Sequence, residues 1–237
     1  MKKFEIMGEL IEFDKQLLLW FNGSESLFLD GLVKTLTTAT TWIPLYLALF
    51  YMVLKNNDNI QKILLIMACA GLCVFFAGSL NDLIVKPEIA RWRPSRDADI
   101  AMLVDVVNGY RGGRYGFFSS HAANTFSIAI FFALLVRSRL LTMTLVLWSL
   151  LNCWTRMYLG VHFPGDILCG LLWGGTIGTA VWYLHFRIRK LMINKENFVS
   201  TQYTSTGYQL SDIDVVVTVM VLTLVYAILR SCFMLYL

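Results

Sequence analysis

Charged positions punctuate the chain, and the stretches between them set its architecture. Five runs carry few or no charges: Thr35–Leu54, Ile63–Val85 with Asp82 near its end, His121–Val136, Leu140–Thr155 and Ile167–Phe186. A helix crossing some 30 Å of hydrocarbon needs about 20 mainly apolar residues, and these runs reach or approach that length. A sixth, Ile213–Leu237, qualifies with Asp214 and Arg230 snorkelling near its ends. The third and fourth runs are short, and Arg137-Ser138-Arg139 joins them as a tight hairpin. The fold class predicted is all-α, a polytopic membrane helical bundle of about six transmembrane helices over residues 35–237. Residues 1–34 are expected to form an N-terminal amphipathic interfacial segment. There Phe4, Met7, Leu10 and Ile11, then Leu17, Leu18 and Phe21, recur at helical spacing beside Glu5, Glu9, Glu12 and Asp14. Those acids stand where a cleavable signal peptide would have its apolar core. Asn22-Gly23-Ser24 ends the helix, and no internal repeat is visible.

Composition agrees with the pattern. Of 237 residues, 57% are hydrophobic and 15% charged, against about 45–50% and about 25% in a soluble domain. A soluble globule and a disordered chain are both excluded. A net charge of +4, diluted in apolar sequence, excludes a nucleic-acid partner. Cys69, Cys73, Cys153, Cys169 and Cys232 all fall in apolar runs, at spacings that suit neither a disulfide framework nor a zinc site. They are read as packing residues.

Loop charge gives the orientation. Lys55 and Lys62, then Arg137 and Arg139, then Arg187, Arg189, Lys190 and Lys195 fall on one side when crossings are counted, and that side is expected to be cytoplasmic. The polar stretch Met192–Asp212 reads as a loop on the same side, and His185 as an interfacial residue there. On the opposite face gather Lys86–Ser120, the turn Gly160–Asp166 and the N-terminal helix.

Ionisable residues at membrane depth are functional candidates by default, and three groups converge on that face. Lys86, Arg93 and Arg156 can surround a multiply charged anion. Ser119 and Ser120 stand where the third helix begins, so free N–H groups there add an anion site. His121 and His162 can serve as nucleophile or proton donor, and Asp166 follows His162 across a Pro-Gly turn, close enough to orient the imidazole. Arg91, Arg96, Arg111 and Arg114 are expected to meet acidic lipid headgroups, and Asp82 to pair with Lys86 or another base.

These residues carry a resemblance. Lys86 through Arg93-Pro94, Ser119 with His121, and Arg156, His162 and Asp166 resemble the three signature motifs of the type 2 phosphatidic acid phosphatase superfamily, which shares its constellation with vanadium haloperoxidases. Phe118, Ser120 and Thr155 depart from the pattern, replacing a proline, a glycine and a serine. The resemblance implies His162 as a nucleophile forming a phosphohistidine, Asp166 as its orienting partner and His121 as the acid. It also implies that Lys86, Arg93, Ser119, Ser120 and Arg156 hold phosphate, with no metal and no cofactor. The expected activity is dephosphorylation of a lipid phosphate or diphosphate at the outer face of a bacterial inner membrane. Undecaprenyl diphosphate and lipid A lead as substrates, phosphatidylglycerol phosphate and phosphatidic acid are alternatives, and Arg111 and Arg114 in a glycine-rich loop are possible headgroup contacts. A lipid transporter and a non-catalytic lipid-phosphate-binding protein remain open as other classes. The partners expected are thus the lipid phosphate and the surrounding membrane lipids.

Overall fold

A computed structural model describes residues 2–192 and 201–233 of the chain. The end of the sixth run and the part of the polar stretch that includes Lys195 lie outside the described residues. Among those described, the helices are α1 (Lys2–Phe21), α2 (Leu27–Thr37), α3 (Ile43–Lys55), α4 (Ile60–Val74), α5 (Lys86–Ile89), α6 (Ser120–Val136), α7 (Arg139–Tyr158), α8 (Pro164–Met192) and α9 (Leu210–Phe233). They include no strand, only two isolated bridges, one of which joins Trp92 to Tyr115. The chain is an all-α membrane bundle.

By length and composition, the continuous helical stretch Ile60–Ile89, α8 and α9 are able to cross a membrane. The pair formed by α2 and residues 39–55, bent by 68°, is long and apolar enough only when its two arms are taken together, as a broken span or a re-entrant loop. The first apolar run is therefore not one straight helix: it begins in the last turn of α2, breaks at Thr38 and restarts where Pro44 opens α3. α6, at 17 residues, and the more polar α7 do not qualify on these grounds, so the count of six rests on the sequence pattern. Leu47, Leu83, Leu147, Leu172 and Leu222 point outward with no polar cover, as lipid-facing residues do. Trp148, Phe131, Leu45, Met52 and Ile213 fill the interior.

Two packing devices position the site. Gly170, Gly174 and Gly178 form one stripe on α8, where added Cβ atoms would run into the carbonyl oxygens of Ser119, Ala123 and Ser127. Small residues at this spacing let two helix backbones touch, which brings the N-termini of α6 and α8 side by side. The second device is local. Between α4 and α5 the helix widens into two π-helical turns, Phe75–Ser79 and Asn81–Val85, and Ala90 at φ 50° stops it. π-turns recur at functional sites because they turn side chains off the regular helical face.

The two ends separate as the loop charges predict. Asn56 bonds Asp212, Asn57 bonds Tyr208, and Thr206 bonds the carbonyl of Val136, tying the basic loops together. His185, expected at the interface, is instead buried against Phe131. Cys232 is exposed rather than packed within the chain, while Cys69, Cys73 and Cys153 are buried as expected. At the other end α1 packs on α7 and α8. Its apolar Ile6, Leu10, Phe13 and Trp20 are exposed, whereas Lys15 and Leu18 are buried.

Candidate active site

α7 ends at Tyr158, Gly160 turns the chain at φ 61°, and Pro164 opens α8. This short turn fixes His162 and Asp166 against each other. Both are buried, with 1% and 0% exposure. Asp166 Oδ2 accepts the N–H of Phe163 at 3.1 Å and stands 3.5 Å from His162 Nδ1. The carboxylate thus caps the helix and faces the imidazole at once, although Nδ1 makes no hydrogen bond in this structure.

Arg93 approaches from the other side. Its Nη1 donates to the carbonyl of Val161 at 2.9 Å and lies 3.2 Å from His162 Nε2. A guanidinium only donates, so Nε2 carries the lone pair and the proton belongs on Nδ1, towards Asp166. Burial, then the charges of Arg93, Arg156 and Lys86, hold His162 well below its ordinary pKa of 6.5, so the ring is neutral near pH 7. Burial, and next the charge of Arg156, push Arg93 down to about 10, where it keeps its charge at neutral pH.

Arg156, 2% exposed, donates to Thr37 Oγ1 at 2.5 Å and to the Tyr110 hydroxyl at 3.2 Å. Its Nε, like that of Arg93, is buried and has no hydrogen-bond partner. Lys86, Arg93 and Arg156 all lie within electrostatic range of His121, which is half-buried in the first turn of α6. Ser119 caps α6, taking the N–H of Ala122 at 3.4 Å, and its own N–H bonds the carbonyl of Asp166 at 3.1 Å.

Ser120 and Lys86 share a partner. The Ser120 hydroxyl donates to Asp82 Oδ1 at 2.8 Å and accepts from Asn81 at 2.9 Å, while Lys86 reaches the same Asp82 oxygen at 2.6 Å. The side chain that replaces the motif glycine is thus turned towards the π-helical turns. Asp82 does pair with Lys86, as its position one turn earlier predicts.

Four contributors escaped the sequence reading. Arg91, expected to meet lipid headgroups, is turned inward between Asp166 and Asp14, at 2.7 Å from each. Asp14 also accepts the N–H of Gly165, 151 residues away, at 2.7 Å. Thr37 and Tyr110 hold Arg156. No spacing rule links such distant positions; the only hint was that Arg91 lies two residues before Arg93. In the glycine-rich loop, Arg111 bonds the carbonyl of Ser95 at 3.0 Å and Arg114 lies over Trp92 and Tyr115, both arginines being exposed at the rim. From this loop Tyr110 enters the cationic cluster: burial would raise its phenol, but the Arg156, Arg93 and Lys86 charges outweigh that and lower it. Among the described residues, no three His, Cys, Asp or Glu side chains gather closely enough to hold a metal.

Fixed cations around a neutral, carboxylate-backed imidazole favour the transfer of a phosphoryl group, whose charge grows on oxygens the cations can hold. The fold and site therefore define a membrane-embedded phosphotransfer enzyme. Comparison with known families narrows the class: the PAP2 superfamily model matches residues 62–190. The chain belongs to the PAP2 superfamily and is one of its phosphatases. It is 37% identical over 227 residues to the lipid A 4′-phosphatase of Bacteroides thetaiotaomicron, covering 94% of this chain and 98% of that protein. It is also 34% identical over 189 residues to the lipid A 4′-phosphatase of Porphyromonas gingivalis, covering 78% and 79%. No solved structure matches it.

Proposed function

We propose that the chain removes the 4′-phosphate of lipid A at the periplasmic face of the inner membrane, through a phosphohistidine on His162. The observation that carries this reading is His162 itself, held neutral and buried with Arg93 at Nε2 and Asp166 beside Nδ1. The two relatives, named as lipid A 4′-phosphatases and aligned over most of their length, support the substrate. The basic residues at the opposite end support the orientation.

An incoming phosphate takes over the Arg93 guanidinium and so frees the Nε2 lone pair. Nε2 attacks phosphorus and the bond from phosphorus to the sugar oxygen breaks. His121, protonated once the phosphate's negative charge joins the Arg156, Lys86 and Arg93 cations around it, gives its proton to that oxygen. Lys86, Arg93, Arg156, the Ser119 hydroxyl and the N–H of Ser120 hold the phosphoryl oxygens, and Asp166 stabilises the imidazolium that forms. Water, deprotonated by His121, then attacks phosphorus and releases inorganic phosphate with His162 restored. Arg111 and Arg114 stand at the rim, where the sugar backbone or second phosphate of a large headgroup would rest. The acyl chains stay in lipid beside the outward-facing leucines.

The test is phosphate release by purified protein from lipid A, undecaprenyl diphosphate, phosphatidylglycerol phosphate and phosphatidic acid. The expected result is release from lipid A far above the others, at the 4′ position. Faster release from undecaprenyl diphosphate would overturn the substrate assignment. No release from any of them, with movement of lipid between vesicle leaflets, would overturn the enzyme reading.

A further inference from the structure

We propose that Asp14 and Arg91 are positioning residues for the reaction, which makes the N-terminal helix α1 a working part of the active site. The inference rests on the reading of His162 as nucleophile and Asp166 as its partner.

Asp166 is 0% exposed, and Arg91 is the cation it pairs with, through Nη1 to Oδ1 at 2.7 Å. The Nη2 of the same guanidinium bonds Asp14 Oδ2 at 2.7 Å. Asp14 Oδ1 in turn accepts the N–H of Gly165, the residue before Asp166, at 2.7 Å. The ring closes on the segment that carries the nucleophile: Asp14 to Arg91, Arg91 to Asp166, and Asp14 back to the backbone beside it. Arg91 is held from two further directions. Its guanidinium carbon lies 4.2 Å from the centre of the Phe163 ring, and its carbonyl accepts the N–H of Gly116 at 2.9 Å. The neighbouring Lys15 pairs with Asp97 at 3.6 Å and bonds Asp99, so α1 grips the loop after Arg93 as well.

A carboxylate turns easily about its last torsion, which is broad and roughly two-fold. Arg91 on Oδ1, together with the Phe163 N–H on Oδ2, removes that freedom and keeps Oδ2 facing His162 Nδ1. Asp14 holds Arg91 in place and supplies the negative charge that balances a guanidinium otherwise shared with a single buried acid. The exposed apolar stripe of α1 faces the other way, so one helix can seat in lipid and hold the catalytic turn. Both positions lie outside the residues assigned to phosphate or to bond making.

The experiment measures kcat and KM on the same lipid phosphate for Asp14→Asn, Arg91→Gln, Arg91→Lys and the double variant Asp14→Asn with Arg91→Gln. Glu12→Gln on the exposed side of α1 and His162→Ala serve as controls. Positioning predicts a kcat loss on the order of 10–100-fold for Arg91→Gln, a loss in the same direction for Asp14→Asn, and KM unchanged. Arg91→Lys recovers part of the rate, and the double variant is no slower than Arg91→Gln alone, because the two residues act as one unit. Glu12→Gln keeps wild-type kinetics. If Arg91→Gln does not fold, Asp14→Asn and Arg91→Lys give the same comparison. A wild-type kcat in Asp14→Asn and both Arg91 variants, even with a lowered melting temperature, overturns the positioning role. Retained activity in His162→Ala overturns the underlying reading instead, so the two failures are distinguishable.

Discussion

The guanidinium of Arg93 sits 3.2 Å from Nε2 of His162, the nitrogen that attacks phosphorus in the proposed mechanism. In that mechanism a phosphate oxygen takes the place of this contact. The same group that restrains the lone pair therefore becomes a donor to the developing charge once phosphate binds. Lysine keeps the charge but loses the planar guanidinium, whose Nη1 alone engages both the Val161 carbonyl and His162 Nε2. Arg93→Lys is expected to lower kcat by about 10²–10³-fold, as loss of one preorganised donor does. Steady-state kinetics check this, and a KM effect alone would contradict it.

Arg156 depends on a residue far from any motif. Thr37, at the end of α2, accepts from its Nη1 at 2.5 Å. Thr37→Val leaves a buried charged donor without a partner, which costs about 1–3 kcal/mol. The expected outcome is a fall in kcat/KM of roughly 10-fold. Tyr110→Phe, at the longer 3.2 Å contact, should cost less.

Ser120 replaces the glycine of the family motif, yet its hydroxyl is engaged by Asp82 and Asn81 rather than aimed at the phosphate site. Ser120→Gly removes two hydrogen bonds, each worth about 1 kcal/mol net, and leaves the N–H in place. The melting temperature should fall by a few degrees, about 2–4 °C per kcal/mol at this chain length, with kcat kept within the same order. A large change in kcat would place the hydroxyl in the reaction.

Folded His162 stays neutral below the pH at which the unfolded chain takes up a proton, near 6.5. Below that pH the unfolded state binds more protons, so stability falls as pH decreases, by at most about 1.4 kcal/mol per pH unit. Melting curves from about pH 7.5 to about 5.5 should drop more steeply for wild type than for His162→Gln, which cannot titrate. Equal slopes would mean that His162 titrates alike in both states.

The spans and the motif residues were legible because both are patterns of residue type: apolar runs for α4, α8 and α9, and fixed spacings for Lys86, Arg93, Arg156, His162 and Asp166. The break at Thr38 was not, since a 68° bend leaves no charge in the run to mark it. Neither was the glycine stripe of α8, whose meaning depends on which helix faces it. Asp14 and Arg91 were hidden for a related reason. An acid on a surface helix and an arginine in a basic loop read as solvent or headgroup contacts until packing brings them together. Residue type marked the groups proposed to hold phosphate, whereas the supporting contacts exist only in three dimensions.

In the proposed mechanism His162 takes the phosphoryl group. The direct measurement is to mix purified protein with lipid A radiolabelled at the 4′-phosphate, quench within one turnover, and ask whether protein carries label that is stable to base and labile to acid. The prediction is a labelled enzyme whose phosphate maps to His162, with no label in His162→Ala. Label elsewhere in the chain, or release of phosphate by His162→Ala at the wild-type rate, would contradict it.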